Sequence, residues 1–354
     1  MKKTLSVLLL AATLISACKK SSSSNSNSST AIVITLAGSG AQGKVNGTGT
    51  AASFNTPLGV AVDATGNVYV ADWLNQLIRK ISPAGVVSTL AGSGVLGATN
   101  GIGTAASFNS PYGVAVDATG NVYVADAVNG LIRKISPAGV VGTLAGSSVQ
   151  GATNGTGTAA SFFHPWGVAV DATGNVYVAD NGNNLIRKIS PAGVVSTLAG
   201  SGVQGNINGM GTAASFSSPQ GVAVDAAGNV YVGDQGSNLI RKISPTGAVS
   251  TLAGSGMSGN TNGTGTAASF NNPTGVAVDA TGNVYVADQT NELIRKISPA
   301  GAVSTLAGSG VSGNSNGTGT AASFNHPAGV TVDATGNVYV ADTQNNLIRK
   351  IVVQ

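Results

Sequence analysis

The sequence predicts an all-β ring, a six-bladed β-propeller whose blades are four-stranded antiparallel sheets. Three observations carry that prediction. A proline recurs every 54 residues, at Pro57, Pro111, Pro165, Pro219, Pro273 and Pro327. Within each period, short runs of Val, Ile, Tyr and Thr alternate with turn residues, and no helical periodicity is visible. The last period stops at Ile351-Val352-Val353-Gln354, whereas an isolated matching segment, Val33 to Gly38, precedes the first.

Each blade is legible strand by strand. In the first period Gly59 to Val62 reads as the innermost strand, Val68 to Ala71 as the second, Leu77 to Ile81 as the third and Val86 to Leu90 as the fourth. Asp63-Ala64-Thr65-Gly66 and Ser82-Pro83-Ala84-Gly85 are type I turn sequences, Asp opening one, Pro second in the other, and Gly closing both. Turns this short force antiparallel neighbours. A small sheet that is apolar on both faces must be sandwiched between copies of itself, and radial stacking does this. The orphan segment at Val33 supplies the outer strand that the last period lacks. Lent to the sixth blade, it closes the ring, which an open solenoid has no need to do.

Composition agrees. Of 354 residues 42% are apolar and only 8% charged, with 51 Gly and 11 Pro, a profile of many tight turns and not of disorder. Length alone would suggest two domains, but repetition overrides that prior. The net charge is +4, yet twelve of the thirteen acids are Asp at two per repeat, and twelve of the basic residues form one Arg-Lys pair per repeat. Charge spread so evenly is framework, and the basic stripe interleaved with aromatics that nucleic acid requires is missing.

The pattern Pro-x-Gly-Val-Ala-Val-Asp-x-x-Gly-Asn-Val-Tyr-Val-Ala-Asp-x-x-Asn-x-x-Ile-Arg-Lys-Ile resembles the NHL repeat over about residues 33–353. The resemblance implies a six-bladed propeller acting as a recognition scaffold. One copy departs from it, with Ser237 where the others have Asn75, Asn129, Asn183, Asn291 and Asn345. Fold likeness alone fixes no activity.

The first residues read as an address. Met1-Lys2-Lys3, an apolar run from Leu5 to Ile15 and Ile15-Ser16-Ala17-Cys18 resemble a bacterial lipoprotein leader, with Cys18 as the acylated residue. The domains expected are therefore a signal peptide over 1–17, a lipidated Ser/Asn-rich tether over 18–30 and one propeller over 31–354. Such a chain belongs to the cell envelope, with the outer membrane favoured, and touches the membrane through lipid alone. It is expected to be a monomer.

Antiparallel order places the Asp63-type and Ser82-type turns on one face of the disc. The loop between the second and third strands and the long connection between blades, such as Ser93 to Pro111, emerge on the other. Differences among the copies concentrate on that second face. The residue after each proline reads Leu58, Tyr112, Trp166, Gln220, Thr274 and Ala328; the pair after the second Asp begins Trp73-Leu74 and Ala127-Val128, then turns polar. Trp73, Leu74, Tyr112 and Trp166 are the candidate binding residues, suited to a protein or carbohydrate partner near the central channel. The competing account is drift among duplicated blades, with the rings packed under the long connections.

Other motifs carry less. Gly38-Ser39-Gly40-Ala41-Gln42-Gly43 matches a dinucleotide fingerprint in spacing but lacks the helix that must follow. The repeated Asp72 series is expected to cap backbone N–H groups, with an Arg79-type partner, and not to hold a metal. The Arg-Lys pairs are expected at blade edges with solvated stems. The Phe54 series should pin the connections to the core, and His164 and His326 should lie at the surface. Glu292 is assigned to a peripheral loop. With no catalytic set, no metal site and no cofactor, the expected function is non-enzymatic scaffolding. The alternative is a hydrolase or lyase with a metal at the central channel, as in similar propellers.

Overall fold

The computed structural model describes Met1 and residues 30–354; Cys18, the leader and the tether lie outside the described residues, apart from Met1 and Thr30. Thirty short strands form six sheets, one per blade, arranged around a central axis. In the first blade the innermost strand is Pro57–Val62, followed outward by Val68–Asp72, Leu77–Ile81 and Val86–Ala91. All pairings are antiparallel, as the short turns require.

Closure follows the expected offset. The strand Ala31–Ala37 pairs with Leu347–Val353, from Ala31 opposite Val353 to Ala37 opposite Ile348, and so lies in the sheet of the last blade. Thr30 and Gln354 exchange backbone hydrogen bonds of 3.1 and 3.0 Å beyond the ladder. Both chain ends therefore leave from the face that carries the short turns.

The blades have five strands and not four. A two-residue strand, Gly47–Thr48 in the first blade, pairs with Val86 and Val87 along the outer edge. It belongs to the long connection, which is stitched down and is not a free loop. After leaving one blade at the long-connection face, the chain crosses to the outer edge of the next and descends it. It then turns through a single 3-10 turn, Gly49–Ala51, and climbs back between the blades to the axial proline. Gly49 bonds Gly85 of the Ser82 turn at 2.9 Å, and Ser53 bonds Val45 at 3.0 Å. Periodicity does not reveal a strand of two residues, because it contains no alternation. Its service is to cover an otherwise open sheet edge.

The core is the set of seams between blades. Between blades one and two, Tyr69, Ala71, Ile78 and Ala91 meet Phe108, Val114, Val122 and Val124. Phe54, Phe108, Phe162, Phe216, Phe270 and Phe324 are all fully buried, so they do pin the connections. The short-turn face is held by carboxylates: Asp63 Oδ1 accepts from the N–H groups of Thr65 and Asn67 at 2.9 Å, and Oδ2 accepts from Tyr69 Oη at 3.0 Å. Partial burial raises the Asp63 carboxyl, but bonds from Asn67, Thr65 and Tyr69 outweigh it and hold it at about 2.

The Arg side chains overturn their assignment to blade edges. Arg79, Arg133, Arg187, Arg241, Arg295 and Arg349 are fully buried, each beside an equally buried Asp. Arg79 donates to Asp72 at 2.7 Å, to the carbonyls of Ser53 and Val45 at 3.1 Å and to Asn46 Oδ1 at 2.7 Å. Its guanidinium also lies over Phe54, 5.3 Å from the ring centroid. A buried guanidinium is tolerable when most of its donors are used, and the returning connection supplies three of its four acceptors; Nε alone is left without a partner, in this Arg and in the other five. Asp72 acts as expected: Oδ1 accepts the Asn55 N–H at 2.8 Å, and Oδ2 takes Arg79 and Asn75.

Candidate functional site

The site sits where the six innermost strands meet on the long-connection face. These strands converge through a ring of glycines. A Cβ at Gly59 would fall 2.4 Å from the carbonyl oxygen of Tyr112, and one at Gly167 only 2.3 Å from that of Gln220. The same holds around the ring for Gly113, Gly221, Gly275 and Gly329. Only glycine permits this approach of backbone to backbone, and it sets the residues preceding each glycine side by side around the axis.

Those residues, Leu58, Tyr112, Trp166, Gln220, Thr274 and Ala328, surround an axial cavity of about 60 Å³. A second cavity of about 190 Å³ lies further along the axis, toward the short-turn face, lined by the rows Val60–Val62 through Val330–Val332. No charged side chain lines either cavity. Among the described residues no three metal-ligating side chains cluster.

The structure brings three of the candidate residues together. Trp73 meets Tyr112 edge to face, with centroids 5.6 Å apart, and Tyr112 meets Trp166 at 4.3 Å with the rings tilted by 41°. Each ring comes from a different blade, and all three are half-buried. Tyr112 and Trp166 line the cavity, whereas Trp73 buttresses Tyr112 from outside it. Trp73 Nε1 is buried without a hydrogen-bond partner. Leu74 is 47% exposed and joins neither the ring stack nor the cavity lining. Burial alone pushes the Tyr112 hydroxyl up from its ordinary value.

Two further residues escaped the sequence reading. Phe163 stands where the other copies have Asn55, Asn109, Ser217, Asn271 and Asn325. Its half-buried ring lies against His164, with centroids 4.8 Å apart, and adds a fourth large ring to the third blade's side of the face. Comparing the copies at that position would have found it. Gln220 carries the other signal: it is only 5% exposed, lines the cavity, and its Oε1 has no hydrogen-bond partner. Opposite the aromatic side, Thr274 Oγ1 donates to the carbonyl of Ala328 at 2.9 Å.

Glu292 is not peripheral. It occupies the left-handed position after the second strand, φ 58°, and is buried. Its carboxylate accepts the His326 N–H of the next blade and lies 3.3 Å from His326 Nδ1. Gln76, Asn184, Asn238 and Asn346 play the same part, each accepting the N–H of the residue before the next axial proline. These are clasps between blades. Gly130 breaks the series, so His164 lacks this clasp. His326 is exposed and His164 half-buried, and they belong to different seams.

Comparison with known proteins supports the sequence resemblance. The NHL repeat model matches six times, at residues 54–81, 108–135, 162–189, 216–243, 270–297 and 324–351. NHL repeat-containing protein 2 of Bos taurus is 31% identical over 333 residues, covering 83% of this chain and 46% of its own length. The chain spans less than half the length of the curated relatives it matches. Among solved structures, an auxiliary nutrient binding protein from Bacteroides thetaiotaomicron superposes with a TM-score of 0.69 at 17% identity, covering 92% of this chain and 77% of its own. A gluconolactonase from Xanthomonas campestris gives 0.61 at 14% identity, with 92% and 90% coverage. Identities this low establish fold alone. With six family repeats, one per sheet, and the ring sealed by its own first strand, this chain is an NHL-repeat six-bladed β-propeller.

Proposed function

We propose that the propeller is a non-enzymatic recognition module of the bacterial cell envelope, anchored by lipid at Cys18, that captures a protein or glycan on its long-connection face. One observation carries this: Trp73, Tyr112 and Trp166, from three adjacent blades, stack into a single aromatic surface beside the axial cavity. Scattered drift has no reason to place three rings in contact. Half-buried aromatics beside a small pocket are the usual anchors of binding sites. The neutral lining favours binding over catalysis, since hydrolysis or elimination needs unlike charged groups converging on one point. Thr30 lies on the short-turn face, opposite the aromatic face, so a tether from Cys18 joins the ring away from the proposed site.

Cross-linking in living cells tests the proposal. The full chain and the variant Trp73→Ala/Tyr112→Ala/Trp166→Ala are compared for captured partners and for thermal stability. Capture that disappears while the melting temperature holds supports recognition. Capture unchanged in the variant, or a variant that unfolds, assigns the rings to packing.

A further inference from the structure

The proposed binding face is two-sided, and the polar side that continues from the rings says what it holds. Around the cavity rim Tyr112 and Trp166 form an aromatic arc from blades two and three. Gln220 and Thr274, from blades four and five, form an arc of amide and hydroxyl. We infer that the mouth takes a neutral sugar ring at the end of a glycan, its flat face stacked on the Tyr112–Trp166 pair and one substituent entering the axial cavity toward Gln220. This inference rests on the recognition reading and names its ligand.

The buried amide is the deciding feature. A polar atom held out of water without a partner costs roughly 1–3 kcal/mol, so Gln220, which lines the cavity, gains when its amide turns Oε1 toward a donor brought by a guest. A hydroxyl suits an amide in either orientation, because it both donates and accepts. Thr274 has already spent its proton on the Ala328 carbonyl and offers the guest lone pairs only. An apolar side chain from a protein would leave Oε1 as unpaired as before. An ammonium or carboxylate would enter a cavity without a countercharge, and that desolvation is not repaid.

Size agrees. A cavity of about 60 Å³ admits a few waters, or one substituent such as hydroxymethyl or acetamido, at ~10–15 Å³ for each water-sized probe. It cannot admit a pyranose ring. The ring must therefore stay at the rim, where the aromatic faces are. A sugar ring is itself apolar on its face and polar at its edge, which matches an aromatic arc adjoining a polar one.

Titration calorimetry of the full chain against neutral cello-, chito-, malto- and manno-oligosaccharides of about four to six units tests the assignment, with polygalacturonate as the charged control. Binding of at least one neutral series is expected. Trp166→Ala should weaken it by more than tenfold. Gln220→Leu should weaken it about fivefold to tenfold, up to about 1.4 kcal/mol. Because Gln220→Leu removes a buried orphan at nearly constant volume, its melting temperature should hold or rise, which separates lost binding from lost folding. Neutral saccharide binding that survives both substitutions overturns the assignment, as does preference for polygalacturonate. No saccharide binding, together with a cross-linked protein lost in the three-ring variant, overturns the sugar but leaves recognition standing. If neither ligand is captured, both readings fall.

Discussion

Blade four lacks a buried bond that the other five make, and Ser237→Asn should strengthen it. In the five other blades an Asn amide donates to the buried carboxylate, as Asn75 does to Asp72 at 2.8 Å while also reaching the Gly43 carbonyl at 2.7 Å. Ser237 is shorter: its hydroxyl reaches the equivalent carbonyl of Gly205 only at 3.5 Å, and it is the least of the groups that lower the Asp234 carboxyl. The ion pair loosens as well, with Arg241 3.0 Å from Asp234 where its counterparts stand at 2.7 Å. Burial pushes the Asp234 carboxyl up to about 6, above its ordinary 3.8, despite the Ser217 N–H and Arg241.

The sign follows from the direction of that displacement. A carboxyl raised in the folded state favours folding fully only below pH 3.8, and that contribution is lost as the pH rises through about 6. At about 1.36 kcal/mol per pH unit, the ionised Asp234 costs the fold roughly 3 kcal/mol at neutral pH. One hydrogen bond to a charged group returns roughly 1.5–3 kcal/mol, less the ordering of the amide, so about 1–2 kcal/mol of gain is expected at pH 7. Near pH 4 the gain should shrink toward zero, because the carboxyl is then protonated in the fold. The Asp63-type turn carboxylates do not confuse the comparison. All are held below 3.8, Asp63 and Asp117 at about 2, so they lose their contribution only as the pH falls below 3.8. Urea unfolding of both proteins at pH 4 and pH 7 measures the difference. Equal midpoints at pH 7, or a gain of the same size at both pH values, would refute the reasoning.

Two further perturbations probe the framework. Arg187→Met leaves Asp180 buried without its cation and the carbonyls of Ser161 and Thr153 without a donor; it should cost about 3–5 kcal/mol in urea unfolding, and a loss under 1 kcal/mol would mean that the seam relaxes to admit water. Gly167→Ala drives a Cβ to 2.3 Å from the Gln220 carbonyl, so blades three and four must part at the axis; we expect at least 1–3 kcal/mol of destabilisation, and an unchanged melting temperature would show that the axial contact is soft.

The ring was readable in the chain because it is written in short-range signals. Proline spacing and turn residues act locally, and the displaced strand at Val33 is legible as the one the last period lacks although its partner lies at the other end of the propeller; together they admit one closed arrangement. The candidate site was half readable. Tyr112 and Trp166 stood out because duplicated blades serve as each other's control, and Trp73 by the same means. Phe163 was open to the same comparison, whereas Leu74 was selected by it and joins neither the rings nor the cavity lining.

What stayed hidden depends on distance through space. The burial of Arg79 is invisible in Arg-Lys, since alternate residues of that strand face opposite sides, and only the returning connection turns one side into a sealed seam. Glu292 reads as a loop residue until the next blade brings the His326 N–H to it. Gln220 is one polar residue in a variable column until six glycines draw the inner strands together and leave its oxygen dry and unpaired at the axis. The sequence by itself determined the blades, their number and their closure, because strand and turn preferences are local. The tertiary structure alone decided which polar groups lose water, because desolvation depends on neighbours that lie dozens of residues away along the chain.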